Sequence, residues 1–321
     1  AEKFALTVDL LRIVFPYILF IALTVLAGGA WPGASGDRRR YPRRVGGPAG
    51  RLGMPPDRSR VPHILVTNDD GVTSPGLLAL TQALRPYGDV TVIAPDSNRS
   101  AIGRGITIHN PLHLDEVRLA DGTPAFATDG TPVDCVRFAT TGILDSTPDV
   151  VVSGINLGVN LGDDVTYSGT VAAAFEGTLL GVPSIAFSLD CRKDGGAGPD
   201  FSEAERIAEE VIRLALSRPM AEDVLWNVNI PEGRPTGIRA TRMGRRRYGE
   251  SVVEKVDPRG RPYYWIGGSH VDTHSDGSDL TTVAEGLVSV TPLHLDLTAY
   301  RALQDLAARL EGSRANGPDR S

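Results

Sequence analysis

The stretch DVVVSGINLGVNLGDDVTYSGTVAAAFEGTLL, residues 149–180, decides the fold class of this chain. Residues 149–153 form a short apolar run that is typical of a buried strand. Residues 171–180 have the small apolar side chains of a packed helix, which ends at Gly181. A polar, glycine-rich loop joins the two. In a parallel sheet such a loop lies at the carboxyl end of its strand, where α/β proteins bind their ligands.

Strand and helix patterns alternate in the same way from residue 62 to residue 230. The alternation predicts a mostly parallel α/β sheet with helices on both faces. Residues 105–128 and 238–266 break the pattern and are typical of β-hairpins, and the second predicts a projecting arm of the kind that joins subunits. The spacing predicts strands over 63–67, 89–94, 149–153, 183–188 and 225–230, and helices over 75–84, 131–143, 171–180 and 202–217.

Composition excludes several classes of protein. The chain has 321 residues, of which 41% are hydrophobic and 22% charged, a globular composition. Residues 1–60 contain ten basic and four acidic residues, a net charge of +6, so the remainder has 23 basic and 35 acidic residues, a net charge of −12. Such an acidic body does not suit nucleic-acid binding. The two cysteines are too few for a disulfide framework, and a cytoplasmic location is the expectation.

Residues 1–60 differ in character from the rest of the chain. No charged residue occurs between positions 13 and 36, and the apolar run at 13–31 is long enough to cross a bilayer, which takes ~20 residues. Residues 32–60 are rich in Arg, Pro and Gly and are typical of a linker. One interpretation is a membrane anchor that leaves the rest in the cytoplasm, because the arginine cluster follows the apolar run.

A second interpretation removes this segment from the native domain. The chain begins with Ala, its first methionine is Met54, and the first predicted strand starts nine residues later. Residues 1–30 resemble a membrane segment of the MviN-type lipid II flippases, over too short a stretch to indicate a function. We expect a fusion, assembly or start-site artefact here, and a single working domain over residues 61–321.

Polar side chains follow three of the predicted strands. Asp69 and Asp70 come directly after the first strand, where two neighbouring carboxylates repel each other unless a divalent cation such as Mg²⁺ or Mn²⁺ binds them. Arg99 and Ser100 follow the second strand, and a hydroxyl can complete the shell of a hard metal while an arginine can pair with phosphate. Asn156 follows the third strand and offers a neutral oxygen. Taken singly, each motif fits an ordinary polar turn equally well.

The glycine-rich loop opens a helix at Ser168-Gly169-Thr170. Free backbone N–H groups and the helix dipole favour an anion such as phosphate at that position. The loop matches neither Walker A nor G-x-G-x-x-G, and the alternative is a long turn that ends in a Ser/Thr helix cap. The candidate phosphate- or substrate-binding residues are Arg99, Thr131, Gly158, Asn160, Ser168, Gly169 and Thr170.

Taken in order, these motifs resemble those of the SurE (survival protein E) family of 5′/3′-nucleotidases, which are nucleoside-monophosphate phosphatases. The later segments NVNIP (227–231), YYWI (263–266) and EGLVSVTP (285–292) look like further signatures of that family. Each motif is weak alone, but the ordered set is specific and spans residues 62–305. The earlier motifs are TNDDG (67–71), APD (94–96) with Arg99-Ser100, GTPVDC (130–135), VSGIN (152–156) and YSGTVAAA (167–174).

The resemblance implies a site, a fold and an assembly. It implies one divalent cation per subunit, Mg²⁺ or Mn²⁺, and Asn68 as a further active-site residue. It also implies a Rossmann-like three-layer α/β/α fold. Homodimers or homotetramers would be joined partly through the hairpin within 238–266 and a C-terminal helix at 298–312. The implied metal ligands, at matching positions, are Asp69, Asp70, Ser100 and Asn156.

The function we expect is metal-dependent hydrolysis of the phosphomonoester of nucleoside 5′- and 3′-monophosphates, with short polyphosphate as a further candidate substrate. Asp69 and Asn68 are the expected catalytic residues, and Asn68 and the helix start at residues 168–170 would stabilise charge on the phosphoryl oxygens. Two other interpretations stay open. One is another metallo-hydrolase that acts on nucleosides, and the other is a membrane-tethered nucleotide-binding module without turnover.

Overall fold

The structure is a computed structural model that describes residues 60–141, 144, 146–191, 199–248, 252–266, 270–273 and 275–315. The predicted apolar segment at 13–31 and the linker up to residue 59 lie outside the described residues. Among the helices that are described, none is long and apolar enough to cross a membrane.

Thirteen strands and six α-helices are described. The strands are β1 (His63–Thr67), β2 (Asp89–Pro95), β3 (Leu114–Arg118), β4 (Pro124–Thr128), β5 (Val150–Leu157), β6 (Ser184–Leu189), β7 (Val224–Ile230), β8 (Ile238–Ala240), β9 (Arg245–Tyr248), β10 (Val252–Val256), β11 (Pro262–Ile266), β12 (His270–Thr273) and β13 (Val288–His294). The helices are α1 (Pro75–Leu84), α2 (Pro132–Thr140), α3 (Gly169–Leu179), α4 (Ser202–Ser217), α5 (Asp279–Ala284) and α6 (Tyr300–Ala315).

Nine of these strands form one central sheet, in the order β3-β4-β2-β1-β5-β6-β7-β13-β8. The six strands from β4 to β7 in that order run parallel, whereas β3 runs antiparallel to β4 and β13 runs antiparallel to β7. The predicted mostly parallel sheet is therefore confirmed.

Helices cover both faces of the sheet, as the alternation of strand residues requires. On β1, Ile64 and Val66 point into the apolar layer that contains α1 and α4. Leu65 points the other way, into the layer that contains α2 and part of α3. Successive side chains of a strand face opposite sides of the sheet, so a strand buried on both faces has to be apolar throughout. This gives the expected three-layer α/β/α architecture.

In the two regions predicted as hairpins, the strands pair differently from the prediction. Of residues 105–128, only β3 and β4 pair, from Leu114 onward. The hairpin predicted over 238–266 is shorter than that range, because β8 joins the central sheet beside β13 and β9 pairs with β12. The hairpin proper is β10–β11, with its turn at residues 257–260. Short strands choose their partners by tertiary contacts, which local spacing does not encode.

Candidate active site

The candidate site lies where the chain reverses its direction of travel across the sheet. From β1 the chain proceeds to β2 on one side, and it later returns to β5 on the other side of β1. The loops that leave the carboxyl ends of β1 and β5 therefore run in opposite directions. Open α/β sheets bind ligands in the crevice between two such loops. Asp69 and Asp70 follow β1, and Asn156 lies near the end of β5. The predicted ligands from these two strands thus lie at one edge of the sheet.

Asp69 is the most deeply buried acid of the site, with 3% of its surface exposed. Its carboxylate accepts a hydrogen bond from the Thr170 hydroxyl, and its backbone carbonyl accepts one from the Arg99 N–H at 2.6 Å. The pKa of Asp69 is raised to about 6, chiefly by burial; the Thr170 hydrogen bond lowers it and the charge of Asp70 raises it.

Asp70 is half-buried beside it. Its two carboxylate oxygens receive only long contacts, at 3.4 Å each, from Asn98 Nδ2 and from the Leu157 backbone N–H. Burial raises the pKa of Asp70 as well. Within the described part of the chain, neither Asp69 nor Asp70 forms an ion pair with a basic side chain. The site therefore holds a pair of carboxylates whose negative charge is not balanced by any basic side chain that the structure describes.

The turn after β1 is held by the side chain of Asn68, which is fully buried. Asn68 Nδ2 donates to the Gly71 carbonyl at 3.0 Å, and the Gly71 N–H donates to Asn68 Oδ1 at 3.1 Å. Gly71 has φ +100°, and a Cβ there would stand 3.0 Å from the Ser97 backbone, so only glycine fits. Asn68 thus fixes the turn that carries both carboxylates. Direct contact of Asn68 with a phosphoryl oxygen stays a prediction.

The start of helix α3 packs directly against Asp69. The Ser168 hydroxyl caps the helix by accepting a hydrogen bond from the Val171 N–H at 3.1 Å. A Cβ at Gly169 would lie 2.7 Å from Asp69 Cβ and 2.8 Å from Asp69 Oδ2, closer than real Cβ atoms approach. Glycine at this position therefore allows the helix start to touch the carboxylate. The predicted anion site and the predicted metal ligands belong to one constellation.

Ser100 and Asn156 complete the predicted ligand set. Asn156 Nδ2 donates to the Gly158 carbonyl at 2.8 Å, which orients the side-chain amide. The Ser100 N–H donates to Asn98 Oδ1 at 2.8 Å, and Asn98 also contacts Asp70. Among the described residues, neither Ser100 Oγ nor Asn156 Oδ1 has a hydrogen-bond partner. Both oxygens are available to a ligand.

The chemistry of this donor set fits a divalent cation. It consists of two carboxylates and two neutral oxygens, which are the ligands that Mg²⁺ and Mn²⁺ prefer. Within the described ranges, no cluster of three or more His, Cys, Asp or Glu side chains has a metal-binding arrangement. A cation here would accordingly rely on Ser and Asn oxygens beside the Asp69–Asp70 pair.

Two predicted substrate-binding residues, Thr131 and Asn160, form hydrogen bonds with other groups of the protein. Thr131 caps α2, where its N–H donates to Asp134 Oδ2 at 2.9 Å and its hydroxyl donates to the Gly105 carbonyl at 2.8 Å. Asn160 is buried, and its Nδ2 donates to Ser188 Oγ at 2.7 Å. Both residues shape the loops around the site by these contacts, and a contact of either with substrate stays a prediction.

Arg99 has one guanidinium nitrogen in use. Nη2 donates to the Asp129 carbonyl at 2.9 Å and lies 3.3 Å from Asp96 Oδ1. In the described part of the chain, Nε is buried without a hydrogen-bond partner. Gly158, the remaining candidate, has φ +109° and open space where a Cβ would lie. Gly158 therefore has room for a ligand beside it, whereas a contact of Arg99 with substrate stays a prediction.

An ion-pair cluster on the far side of the glycine-rich loop was not predicted. Arg246 on β9 is buried and bonds Asp164 Oδ2 at 2.5 Å and Asp272 Oδ1 at 2.8 Å. The Tyr248 hydroxyl donates to the other oxygen of Asp164, and the Arg246 N–H donates to Asp163 Oδ2 at 2.9 Å. Asp163 and Asp164 therefore fasten the loop to the β9–β12 pair. One sequence signal could have indicated this arrangement. Successive side chains of a strand face opposite sides, so the middle residue of Arg245-Arg246-Arg247 points away from the side that its two neighbours face.

Comparison with known proteins places this geometry in a family. The family model "Survival protein SurE" matches residues 64–250. The 5′-nucleotidase SurE of Syntrophotalea carbinolica is 52% identical over 245 residues, which cover 76% of this chain and 96% of that protein. The 5′-nucleotidase SurE 1 of Thermus thermophilus is 51% identical over 252 residues, 78% of this chain and 98% of that protein.

The solved structures include a similar fold. The crystal structure of the SurE protein from Aquifex aeolicus has a TM-score of 0.65 and 42% sequence identity, over 76% of this chain and 98% of that one. By family model, by sequence identity and by fold, this chain belongs to the survival protein SurE family.

Proposed function

We propose that this chain is a metal-dependent 5′-nucleotidase, which hydrolyses the phosphomonoester of nucleoside 5′-monophosphates. One observation carries the proposal: the start of α3 touches the buried carboxylate Asp69, and this contact would set an anion site at the helix start beside a cation site at the carboxylates. A phosphomonoester bound to a divalent cation needs such a pair of sites. The relatives from Syntrophotalea carbinolica and Thermus thermophilus are named as 5′-nucleotidases.

In this proposal Asp69, Asp70, Ser100 and Asn156 hold one Mg²⁺ or Mn²⁺ ion. When bound, the cation supplies positive charge that polarises the phosphoryl group and favours attack by water. Asp69 and Asp70 contribute the negative charge that attracts the ion, and their lack of basic partners among the described residues leaves them free to do so. Ser100 Oγ and Asn156 Oδ1 contribute neutral oxygens.

The protein groups around the phosphate act by position and charge. Backbone N–H groups of the first turn of α3 face an anion with the positive end of the helix dipole, which stabilises charge on the phosphoryl oxygens. Ser168 holds that turn through its bond to the Val171 N–H. Asn68 holds the carboxylates through its two bonds to Gly71. Arg99, on the turn after β2, adds positive charge at the rim of the site.

The finer substrate range belongs to the same proposal. Nucleoside 3′-monophosphates and short polyphosphate present the same terminal phosphoryl group, so the helix start and the cation site would accept them as well. A cytoplasmic location is proposed from the two free cysteines and the absence of a predicted disulfide framework.

Product analysis tests the proposal. The full chain is incubated with AMP and Mn²⁺ or Mg²⁺, and the products are separated by chromatography and assayed for inorganic phosphate. We expect equal amounts of adenosine and phosphate, and no product when a chelator replaces the metal. Free adenine and ribose phosphate would instead indicate a nucleoside-type hydrolase. AMP that binds without being converted would indicate a nucleotide-binding module, and either result would overturn the proposal.

We also propose self-association through the C-terminal elements. The hairpin β10–β11 and the helix α6 each carry several apolar side chains that are about half exposed or more. Apolar clusters of this size mark surfaces that contact another protein, and a second copy of the chain is the partner that the family resemblance implies. The apolar residues concerned are Val252, Val253, Val256, Tyr264, Trp265, Ile266, Leu303, Leu306 and Leu310.

A further inference from the structure

The segment of residues 101–108, which follows Ser100, is irregular in conformation but firmly attached. It contains no helix or strand, yet hydrogen bonds fasten its backbone at three places to other elements around the site. These are the Gly103 N–H to the Tyr167 carbonyl at 2.9 Å, the Thr131 hydroxyl to the Gly105 carbonyl at 2.8 Å, and the Thr107 N–H to Asp134 Oδ1 at 3.1 Å. These three hydrogen bonds therefore fix the path of the segment beside the site.

A side chain of the same segment anchors it to helix α3. The guanidinium of Arg104 lies 5.5 Å from the centre of the Phe175 ring and 3.8 Å from Glu176 Oε2. Glu176 is buried and pairs with Arg137 on α2 at 2.6 Å as well. A cation over an aromatic face and next to a buried carboxylate is held on both sides. The segment is thus tied to the helix whose first turn contacts Asp69.

Despite this attachment, apolar side chains at the junction are open to solvent. Ile102 is 41% exposed, Ile106 43% and Tyr167 62%. Exposed apolar groups on a fixed backbone keep their unfavourable contact with water, because the loop cannot fold over them. Next to a polar catalytic site, such groups are characteristic of a surface that binds the apolar part of a ligand.

The position of these residues identifies which part of a ligand they meet. Ile102 lies two residues after the proposed metal ligand Ser100, and Tyr167 directly precedes Ser168 at the proposed phosphate site. The bond from Gly103 to Tyr167 brings the two loops together. A nucleoside monophosphate whose phosphate lies at the start of α3 would extend past these loops toward solvent.

We propose that Tyr167, with Ile102 and Ile106, forms the surface on which the nucleobase of the substrate stacks. The inference rests on the proposed nucleotidase function and specifies how that function distinguishes nucleotides from smaller phosphomonoesters. An aromatic ring and branched aliphatic side chains accept the face of any base, since stacking on a π-face does not depend on the base's hydrogen-bonding edge. The surface therefore favours nucleotides in general over phosphorylated sugars.

A comparison of two substrates tests this proposal. AMP has a base, whereas ribose 5-phosphate has the same phosphate and sugar without one. In Tyr167→Ala we expect kcat/KM for AMP to fall about tenfold, mainly through KM, because stacking acts equally on ground state and transition state. For ribose 5-phosphate, kcat/KM should stay within about twofold of the wild-type value. Tyr167→Phe retains the ring and should retain both activities.

A matched control is available on α4. Leu214 is 60% exposed and lies near the carboxyl end of that helix, at the sheet edge opposite to the site, since β7 begins shortly afterwards. Leu214→Ala removes a similarly exposed apolar side chain and should change neither substrate's kcat/KM. The control separates loss of base stacking from a general effect of surface truncation.

Several results would overturn the inference. Equal losses for AMP and ribose 5-phosphate in Tyr167→Ala would assign Tyr167 to the phosphate site or to stability. No loss for either substrate would remove Tyr167 from substrate binding. Equal losses together with a smaller mass in light scattering would mean that a second copy of the chain covers this surface. If wild-type protein releases no phosphate from AMP, the proposed function itself fails, so the two failures are distinguishable.

Discussion

At the scale of single residues, the site is built around an acid in an unfavourable place. Asp69 is almost completely buried next to a second carboxylate, and the Thr170 hydroxyl compensates for only part of the lost hydration. A buried charge without a basic partner destabilises the folded state unless a ligand neutralises it. The metal-free protein is therefore less stable than it would be without this carboxylate, but the carboxylate attracts a cation strongly.

The first prediction concerns the stability of the metal-free protein. Because the pKa of Asp69 is raised from 3.8 to about 6, the folded state holds its proton more tightly than the unfolded state. Stability contributed by the protonated carboxyl is then lost as the pH rises from about 4 to about 6. Asp69→Asn removes this loss. Since one pKa unit corresponds to 1.36 kcal/mol, the free energy of unfolding in chelator at pH 8 should be about 3 kcal/mol higher in the variant.

Urea denaturation at two pH values measures this effect. The gain from Asp69→Asn should shrink at pH 4.5, where the carboxyl of the folded wild-type protein is already protonated. Addition of Mn²⁺ should stabilise the wild-type protein but not the variant. A variant that is less stable than wild type at pH 8 in chelator would contradict this account of Asp69.

The second prediction concerns Gly169. In Gly169→Ala the new methyl group would lie 2.7 Å from Asp69 Cβ, so the carboxylate has to move away from the helix start. A displacement of this kind in a catalytic constellation lowers kcat/KM by about a hundredfold. The far-UV circular dichroism should stay unchanged, since alanine is a better helix former than glycine. Gly237→Ala, next to β8 at the far end of the sheet, serves as the control and should keep wild-type activity, because its new methyl group would approach only the end of the Leu287 side chain. Full activity of Gly169→Ala would show that the contact with Asp69 is dispensable.

At the scale of elements, the site depends on how its loops are held. The loop between β5 and α3 is fastened by Arg246 to Asp164 and by the Gly162 N–H to the buried carboxylate of Asp279 at 2.8 Å. Asp279 Oδ1 also accepts a bond from the Gly244 N–H at 2.7 Å. Described residues beyond β8 therefore help to hold the loop that leads to the site.

The third prediction removes the arginine at the centre of the cluster. Arg246→Met leaves Asp164 and Asp272 without their common partner in a largely buried place, which should lower the free energy of unfolding by about 3 kcal/mol. Arg245→Met is the matched control, because the Arg245 side chain is exposed. Its free energy of unfolding should stay within about 0.5 kcal/mol of the wild-type value. Denaturant titration of both variants measures the difference. Equal effects of the two substitutions would contradict the structural role of Arg246.

Much of the arrangement of elements could be predicted from sequence, and the reason is visible in particular residues. The carboxyl ends of parallel strands share one edge, so Asp69, Asp70 and Asn156 were expected to lie near one another once β1 and β5 were recognised. Asp164 and Arg246 could not be paired in this way. They lie 82 residues apart, and nothing in local spacing links a turn to a later strand.

A similar limit applies to β5 itself. The predicted strand ended at residue 153, whereas β5 continues to Leu157 through a shift of register between Ser153 and Asn156. Such an irregularity re-aims the side chains that follow it, and it depends on the neighbouring strand β6. The sequence therefore predicts Asn156 as a candidate metal ligand, but it does not predict where β5 ends or how its register shifts before Asn156.

At the scale of the whole molecule, the C-terminal helix lacks a partner within the described part of the chain. Leu303, Leu306 and Leu310 recur at helical spacing on α6, and all three are more than half exposed. A single helix of 16 residues is marginally stable in water without packing. The helix therefore needs a surface, which we assign to another copy of the chain.

The fourth prediction follows from this exposed face. Leu306→Glu places a charge in the proposed contact and should shift the mass measured by light scattering from a multiple of 34.2 kDa toward a single chain. Gln304→Glu adds the same charge to the same helix outside the leucine stripe, and it should leave the mass unchanged. A wild-type protein of single-chain mass, or equal behaviour of the two variants, would contradict the proposed assembly.

The central claim is that two carboxylates at the end of β1 hold the cation on which phosphate release depends. The most direct measurement is phosphate release from AMP by wild type and by Asp70→Asn across a titration of Mn²⁺. We predict metal-dependent release by the wild-type protein. We predict none by the folded variant, because the substitution removes half of the charge that binds the ion. Release by Asp70→Asn at the wild-type rate and the same Mn²⁺ concentration would contradict the account.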